Sequence, residues 1–261
     1  ALSDVLGDKP GHLISWSNGA AAAIQFQLDH PELVLSQTFI DPISPYGFGG
    51  SKGPEGTPCY DDFAGAGGGV VNPEFVKRII DGDRSEEDPN SPRNVINTFL
   101  YKPPFRAERE EDLLTASMLE KMGADRYPGD MTPSANWPMV APGVWGPINA
   151  TSPKYYNGSG IVEADVKPPI LWVRGEDDQI VSDMSFFDFG TLGQMELVPG
   201  WPGADIFPPQ PMVSQMRAVL DKYQANGGQY QEVVIAGAGH SPLIEKPEEF
   251  RQALLAFFQG V

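Results

Sequence analysis

"LISWSNGAAAAI", residues 13–24, runs from an apolar stretch through Ser-Trp-Ser-Asn-Gly straight into a row of alanines. The residues up to Trp16 read as a strand and those after Gly19 as a helix, so the backbone must change conformation almost at once. Such a turn strains its middle residue and admits only small neighbours. The middle residue is Ser17, its small neighbours are Ser15 and Gly19, and the pattern is S-x-S-x-G. The hydroxyl of Ser17 is thereby lifted clear of the sheet edge. The helix that follows starts directly behind it, where unpaired N–H groups and the helix dipole favour negative charge. Ser17 is a candidate nucleophile, and the backbone N–H of Asn18 a candidate oxyanion donor.

Outward from this bend, "GHLISWS" reads as a buried strand, "NGAAAAIQFQLDHPE" as a helix and "LVLSQTFIDP" as a second strand. A strand–helix–strand unit implies a parallel sheet. Residues 47–165 differ in composition. They carry "GFGGSKGPEGTP", "GAGGG" and "WPMVAPGVWGP" around short helical pieces such as "NPEFVKRIIDG", "SPRNVINTFLY" and "EREEDLLTASMLEKMG". The alternation returns from residue 166 with "KPPILWVRG" and "YQEVVIAGAG" as strands, and "PPQPMVSQMRAVLDKYQANGG" and "KPEEFRQALLAFFQ" as helices. Three segments follow: a core part over 1–46, a largely helical cap insertion over 47–165, and a second core part over 166–261. Residues 183–209 form an extra aromatic, Gly-rich loop.

A hydroxyl needs a base, and the chain of 261 residues has three histidines. His12 opens the strand that carries Ser17, at its far end. His30 closes the following helix. His240, in "IAGAGHSPLIEKPEEF", leaves a strand through a Gly-rich exit, which is where open parallel sheets bind ligands. An acid to orient His240 is offered by Glu176-Asp177-Asp178 after "ILWVRG", and by Asp41 after the second strand.

These segments together resemble the α/β-hydrolase superfamily. "SWSNGAAAAIQFQLDHPE" is similar to its nucleophile elbow, "PPILWVRGEDDQIV" to its acid segment and "GAGHSPLIEKPEEF" to its histidine loop and last helix. The resemblance implies a mostly parallel sheet flanked by helices under a variable cap. It also implies a Ser17–His240–Asp178 triad, because the family's acid usually stands three residues after the glycine, with Asp41 and Asp177 as competitors. A serine rather than an aspartate at the elbow points to acyl transfer to water, with a carboxylic ester of an apolar or bulky small molecule as the expected substrate. An amidase or proline-iminopeptidase-like aminopeptidase, a lactonase, and a binding protein on the same fold are the alternatives. The acidic residues Asp61, Asp62, Glu110, Glu111 and Asp112 would meet a substrate amine in the aminopeptidase reading, or form solvated helix faces.

In the family the elbow strand lies mid-sheet, with about 80 residues of strands and connections ahead of it at ordinary element lengths. The expectation is therefore that the N-terminal part of the core, with the second oxyanion donor, lies in missing N-terminal residues or another chain. Bulk properties narrow the partners. A net charge of −17 disfavours nucleic acid and anionic membrane surfaces. No apolar run approaches the roughly 20 residues of a membrane helix. A single cysteine, Cys59, excludes an internal disulfide and a Cys-based metal site, and no cofactor is implied. Asn149-Ala-Thr and Asn157-Gly-Ser fit the glycosylation triplet without establishing a compartment.

Overall fold

Four runs rich in β-branched and aromatic residues form strands, as their composition favours. The computed structural model describes Gly7 and residues 9–261; the rest of the 1–46 segment lies outside the described residues. The strands are β1 (Gly11–Trp16), β2 (Val34–Ile40), β3 (Ile170–Gly175) and β4 (Tyr230–Ile235). They lie side by side in that order, every pair parallel. Trp16 stands opposite Ile40, and Ile40 opposite Val173, so the strands end close to one level. Parallel neighbours need a crossover, supplied by helix α1 (Gly19–Asp29) between β1 and β2 and by helix α2 (Met212–Ala225) before β4. Helix α3 (Pro247–Phe258) closes the chain.

The two faces of β3 show the period of two that a sheet imposes. Ile170 and Trp172 pack with Ile24 of α1 and with Met216, Val219 and Leu220 of α2. Leu171 and Val173 pack with Ile235 of β4 and Phe257 of α3. A strand covered on both faces reads as a continuous apolar run, which is how "ILWV" reads. β1 behaves otherwise. Its sequence promises a buried strand, yet His12 is exposed and Ile14 is 51% exposed. The physical reason is its position: among the described residues it pairs only with β2, so it is one of the two edges of the sheet.

Between β2 and β3 the chain makes short helices at Pro73–Ile80, Pro92–Val95 and Glu110–Ser117 and three two-stranded pairs, joined by irregular backbone. The run "EREEDLLTASMLEKMG" yields a helix only to Ser117. Leu114 is that helix's one buried side chain and Leu119 is 76% exposed, so nothing packs against a longer helix to hold it. Many aromatic residues of this region pack on one another. Trp137 meets Phe207 and Phe189 edge-on at 5.0 and 5.8 Å, joining the insertion to the 183–209 loop. Among the described residues no helix is long and apolar enough to cross a membrane.

Candidate active site

Ser17 follows β1 directly. Its N–H donates to the Ile40 carbonyl at 2.9 Å, extending the ladder, and its carbonyl accepts from Ala20 at 3.1 Å as α1 begins. Serving both elements forces Ser17 to a φ of +54°, a left-handed conformation that a non-glycine residue rarely adopts. The small neighbours are less constrained than the bend itself. A β-carbon on Gly19 would meet nothing nearer than the Ser15 β-carbon at 3.9 Å, an ordinary contact, which is why serine is tolerated at position 15. Neither the Ser17 hydroxyl nor the Asn18 N–H is hydrogen-bonded within the described residues.

The loops after β3 and β4 approach closely. A β-carbon on Gly175 would lie 1.9 Å from the Gly239 carbonyl oxygen, so only glycine fits there. This approach brings Asp178 to His240: Asp178 Oδ2 and His240 Nδ1 are 2.8 Å apart, both side chains buried. Asp178 Oδ1 accepts from the N–H groups of Ile180 and Val181 at 2.7 and 3.0 Å, which fixes the carboxyl plane. With Asp178 accepting at Nδ1, the imidazole proton sits there and Nε2 keeps its lone pair.

His240 is held by its main chain as well. The Trp16 indole N–H donates to the His240 carbonyl at 2.7 Å, tying the histidine loop to the residue before Ser17. Buried Glu245 accepts from Gly239 N–H at 2.8 Å and Ser241 N–H at 3.2 Å through one oxygen, and from Lys102 N–H at 2.7 Å through the other. Glu245 and Trp16 escape sequence reasoning. Glu245 is visible in "GHSPLIEKPEEF", but a carboxylate in a short Pro-led turn looks solvent-facing until the loop closes over it.

The competing acids go elsewhere. Asp177 forms an ion pair with Lys102. Asp41, at the end of β2 with φ +40°, is 1% exposed, and its Oδ1 accepts from Gly175 N–H at 2.9 Å. Burial and the neighbouring Asp178 push its acid well above the ordinary range. His12 bonds Ser36 Oγ at 2.7 Å and stacks near Phe258, at the opposite end of β1. His30 caps α1. Four of the five acidic residues singled out in the insertion are engaged: Glu110 with Arg93 and Arg106, Glu111 with Arg84 and Arg93, Asp112 with Arg109, and Asp62 with Ser134 and Asn136, while Asp61 is exposed.

Asp41, Asp178 and His240 form a group of potential metal-binding side chains, with one donor atom of each within 4.8 Å of the others. Most of their donor atoms already meet hydrogen-bond partners, Asp41 Oδ2 excepted. Nδ1 faces Asp178 at hydrogen-bond distance, and Asp178 Oδ1 and Asp41 Oδ1 accept backbone N–H groups. The cluster suits proton handling rather than a cation.

Comparison with known proteins agrees with this architecture. Residues 1–253 match the model of a family described as the alpha/beta hydrolase family. Among curated proteins, none matches the sequence. Similar solved structures include a carboxylesterase from Bacillus subtilis, 13% identical with a TM-score of 0.50, covering 100% of this chain and 64% of that one. Another is a membrane phospholipase A described as a bacterial virulence factor, 17% identical with a TM-score of 0.51, covering 99% and 60%. At such identities the likeness is one of fold, and this chain spans about three fifths of their length.

Proposed function

The chain belongs to the alpha/beta hydrolase family, and from that premise we propose that it is a serine hydrolase cleaving a carboxylic ester of an apolar or bulky small molecule. The observation that carries the reading is the buried Asp178–His240 pair at 2.8 Å, tied through Trp16 to the strained Ser17. In this reading His240 Nε2 takes the Ser17 hydroxyl proton as the oxygen attacks the substrate carbonyl carbon. The oxyanion is met by the Asn18 N–H. Collapse expels the alcohol, which receives the proton from His240. Water then repeats the sequence on the acyl-enzyme and releases the acid. Asp178 keeps the proton on Nδ1 and stabilises the imidazolium. An apo geometry without a Ser17–His240 bond is compatible with this, since such bonds often tighten only with substrate.

Ester rather than aminopeptidase chemistry is favoured because four of the five acidic residues, Asp62, Glu110, Glu111 and Asp112, are already paired, which leaves only the exposed Asp61 to meet an amine. The second oxyanion donor, and a parallel partner for the open side of β1, come in this reading from further polypeptide or another chain. The half-exposed Ile14 supports that part. A fluorophosphonate probe tests the class: stoichiometric labelling, lost in Ser17→Ala, is expected, and a protein that stays unlabelled is not a serine hydrolase. Turnover of p-nitrophenyl esters in preference to amino-acid anilides is the expected substrate profile; the reverse order assigns an amidase.

A further inference from the structure

Asp41 is a buried acid to which the reading above gives no task. Its Oδ1 accepts from Gly175 N–H, while Oδ2 is buried without a hydrogen-bond donor. The titratable and charged groups around it come from three elements: Asp178 after β3, His240 and Glu245 after β4, and Arg174 of β3 beside the same small void. Arg174 does not serve Asp41, because its Nε bonds Glu232 at 2.7 Å. One oxygen of the Asp41 carboxyl nevertheless lies within 4.8 Å of one oxygen of Asp178, and both side chains are buried. Two ionised carboxylates in one buried site, with Glu245 near, repel strongly, and no hydrogen bond joins them unless one keeps its proton. Asp178 receives two N–H groups on one oxygen and His240 on the other, whereas Asp41 receives a single N–H. More donors favour the charged form, so the proton falls to Asp41.

We propose that Asp41 is a positioning residue that keeps its carboxylic proton and donates it to Asp178, so that the pair presents one negative charge to His240. The inference rests on the reading of His240 as the base. The raised acidity range of Asp41 agrees with it. The donated bond holds the Asp178 carboxyl toward the imidazole and withdraws part of its charge. That keeps His240 neutral, and able to accept the serine proton, at lower pH than a lone carboxylate would allow.

Two substitutions and a spectrum test it. Asp41→Leu removes the donor at similar size. The acidic limb of the kcat/KM profile is expected to move up by about one pH unit, a loss of about 10-fold below the limb. Asp41→Asn offers an amide oxygen to Gly175 and an amide N–H to Asp178, and is expected to restore the limb. Without any turnover, the infrared C=O stretch of a protonated carboxyl should be present in the wild type at neutral pH and absent in Asp41→Asn. The His240 imidazole, followed by NMR, should titrate higher in Asp41→Leu. These measurements separate a failure here from a failure of the hydrolase reading, and the Asn variant with its spectrum suffices if the Leu variant does not fold. A folded Asp41→Asn as impaired as Asp178→Asn, an unchanged infrared band, or an unmoved acidic limb in Asp41→Leu would overturn the proposal.

Discussion

The two sides of the candidate site are built to different standards. On the histidine side, β3 is flanked by strands on both sides, β4, the other edge strand, packs Val233 and Ile235 under α3, Gly175 permits contact between two loops, and Asp178 and Glu245 together accept five backbone N–H groups. On the serine side, Ser17 sits at the end of an edge strand with Ile14 half exposed, and its position depends on β2 and the Trp16 tie. The contrast teaches where geometric precision comes from. Carboxylates that bind backbone amides fix loops residue by residue, because each unpaired buried N–H is costly. A strained turn holds its shape only as firmly as the strand that feeds it.

Substitutions that strike both sides at their chemistry should have the largest effect. Ser17→Ala and His240→Ala are each expected to lower kcat/KM by about 10⁴-fold or more, and Asp178→Asn somewhat less. Steady-state kinetics on an ester with active-site titration checks this; a near-normal Asp178→Asn beside a dead Asp41→Asn would move the acid to Asp41.

The histidine side alone is probed by Glu245→Ala. It leaves two buried N–H groups and one part-buried N–H without an acceptor and should lower unfolding stability by about 3 kcal/mol, measured by urea denaturation. If stability is unchanged, the loop is held by something other than this carboxylate.

Asp188 offers a pH test at the loop over 183–209. Burial pushes its acid up to about 6, although Thr191 and Gln210 donate backbone N–H groups to Oδ2. Below about pH 4 both folded and unfolded chains hold its proton; between about 4 and 6 the folded state binds more protons, so stability falls as pH rises. The loss should reach about 2–3 kcal/mol once pH passes the folded value. Melting curves from pH 4 to 7 should show it, and Asp188→Asn should flatten the trend.

The smallest effect belongs to Lys102→Met, which breaks the half-exposed pair with Asp177. Less than about 1 kcal/mol of stability is expected, because solvent screens such pairs. A larger loss would mean that the insertion is fastened to the histidine loop through this lysine rather than through its backbone bond to Glu245.

Composition and periodicity were enough to place the four strands and three long helices, since each core element carries its own apolar pattern, while the α/β-hydrolase architecture was legible only through the resemblance of the elbow, acid and histidine segments. They overstated the burial of β1, because an apolar run looks the same in a central strand as at an edge. They overstated the helix over 110–117, where the local pattern has no packing partner beyond Met118. The sequence likewise offered several acids to His240, and only the resemblance, through its spacing after Gly175, ranked Asp178 first. Only the folded chain sends Asp177 to Lys102, sets Asp178 on the imidazole and buries Asp41 behind it. Local residue order determines which elements form, because propensity and periodicity act over neighbouring residues; which carboxyl meets which histidine was decided by the tertiary structure, because that contact joins loops 62 residues apart through the close approach at Gly175.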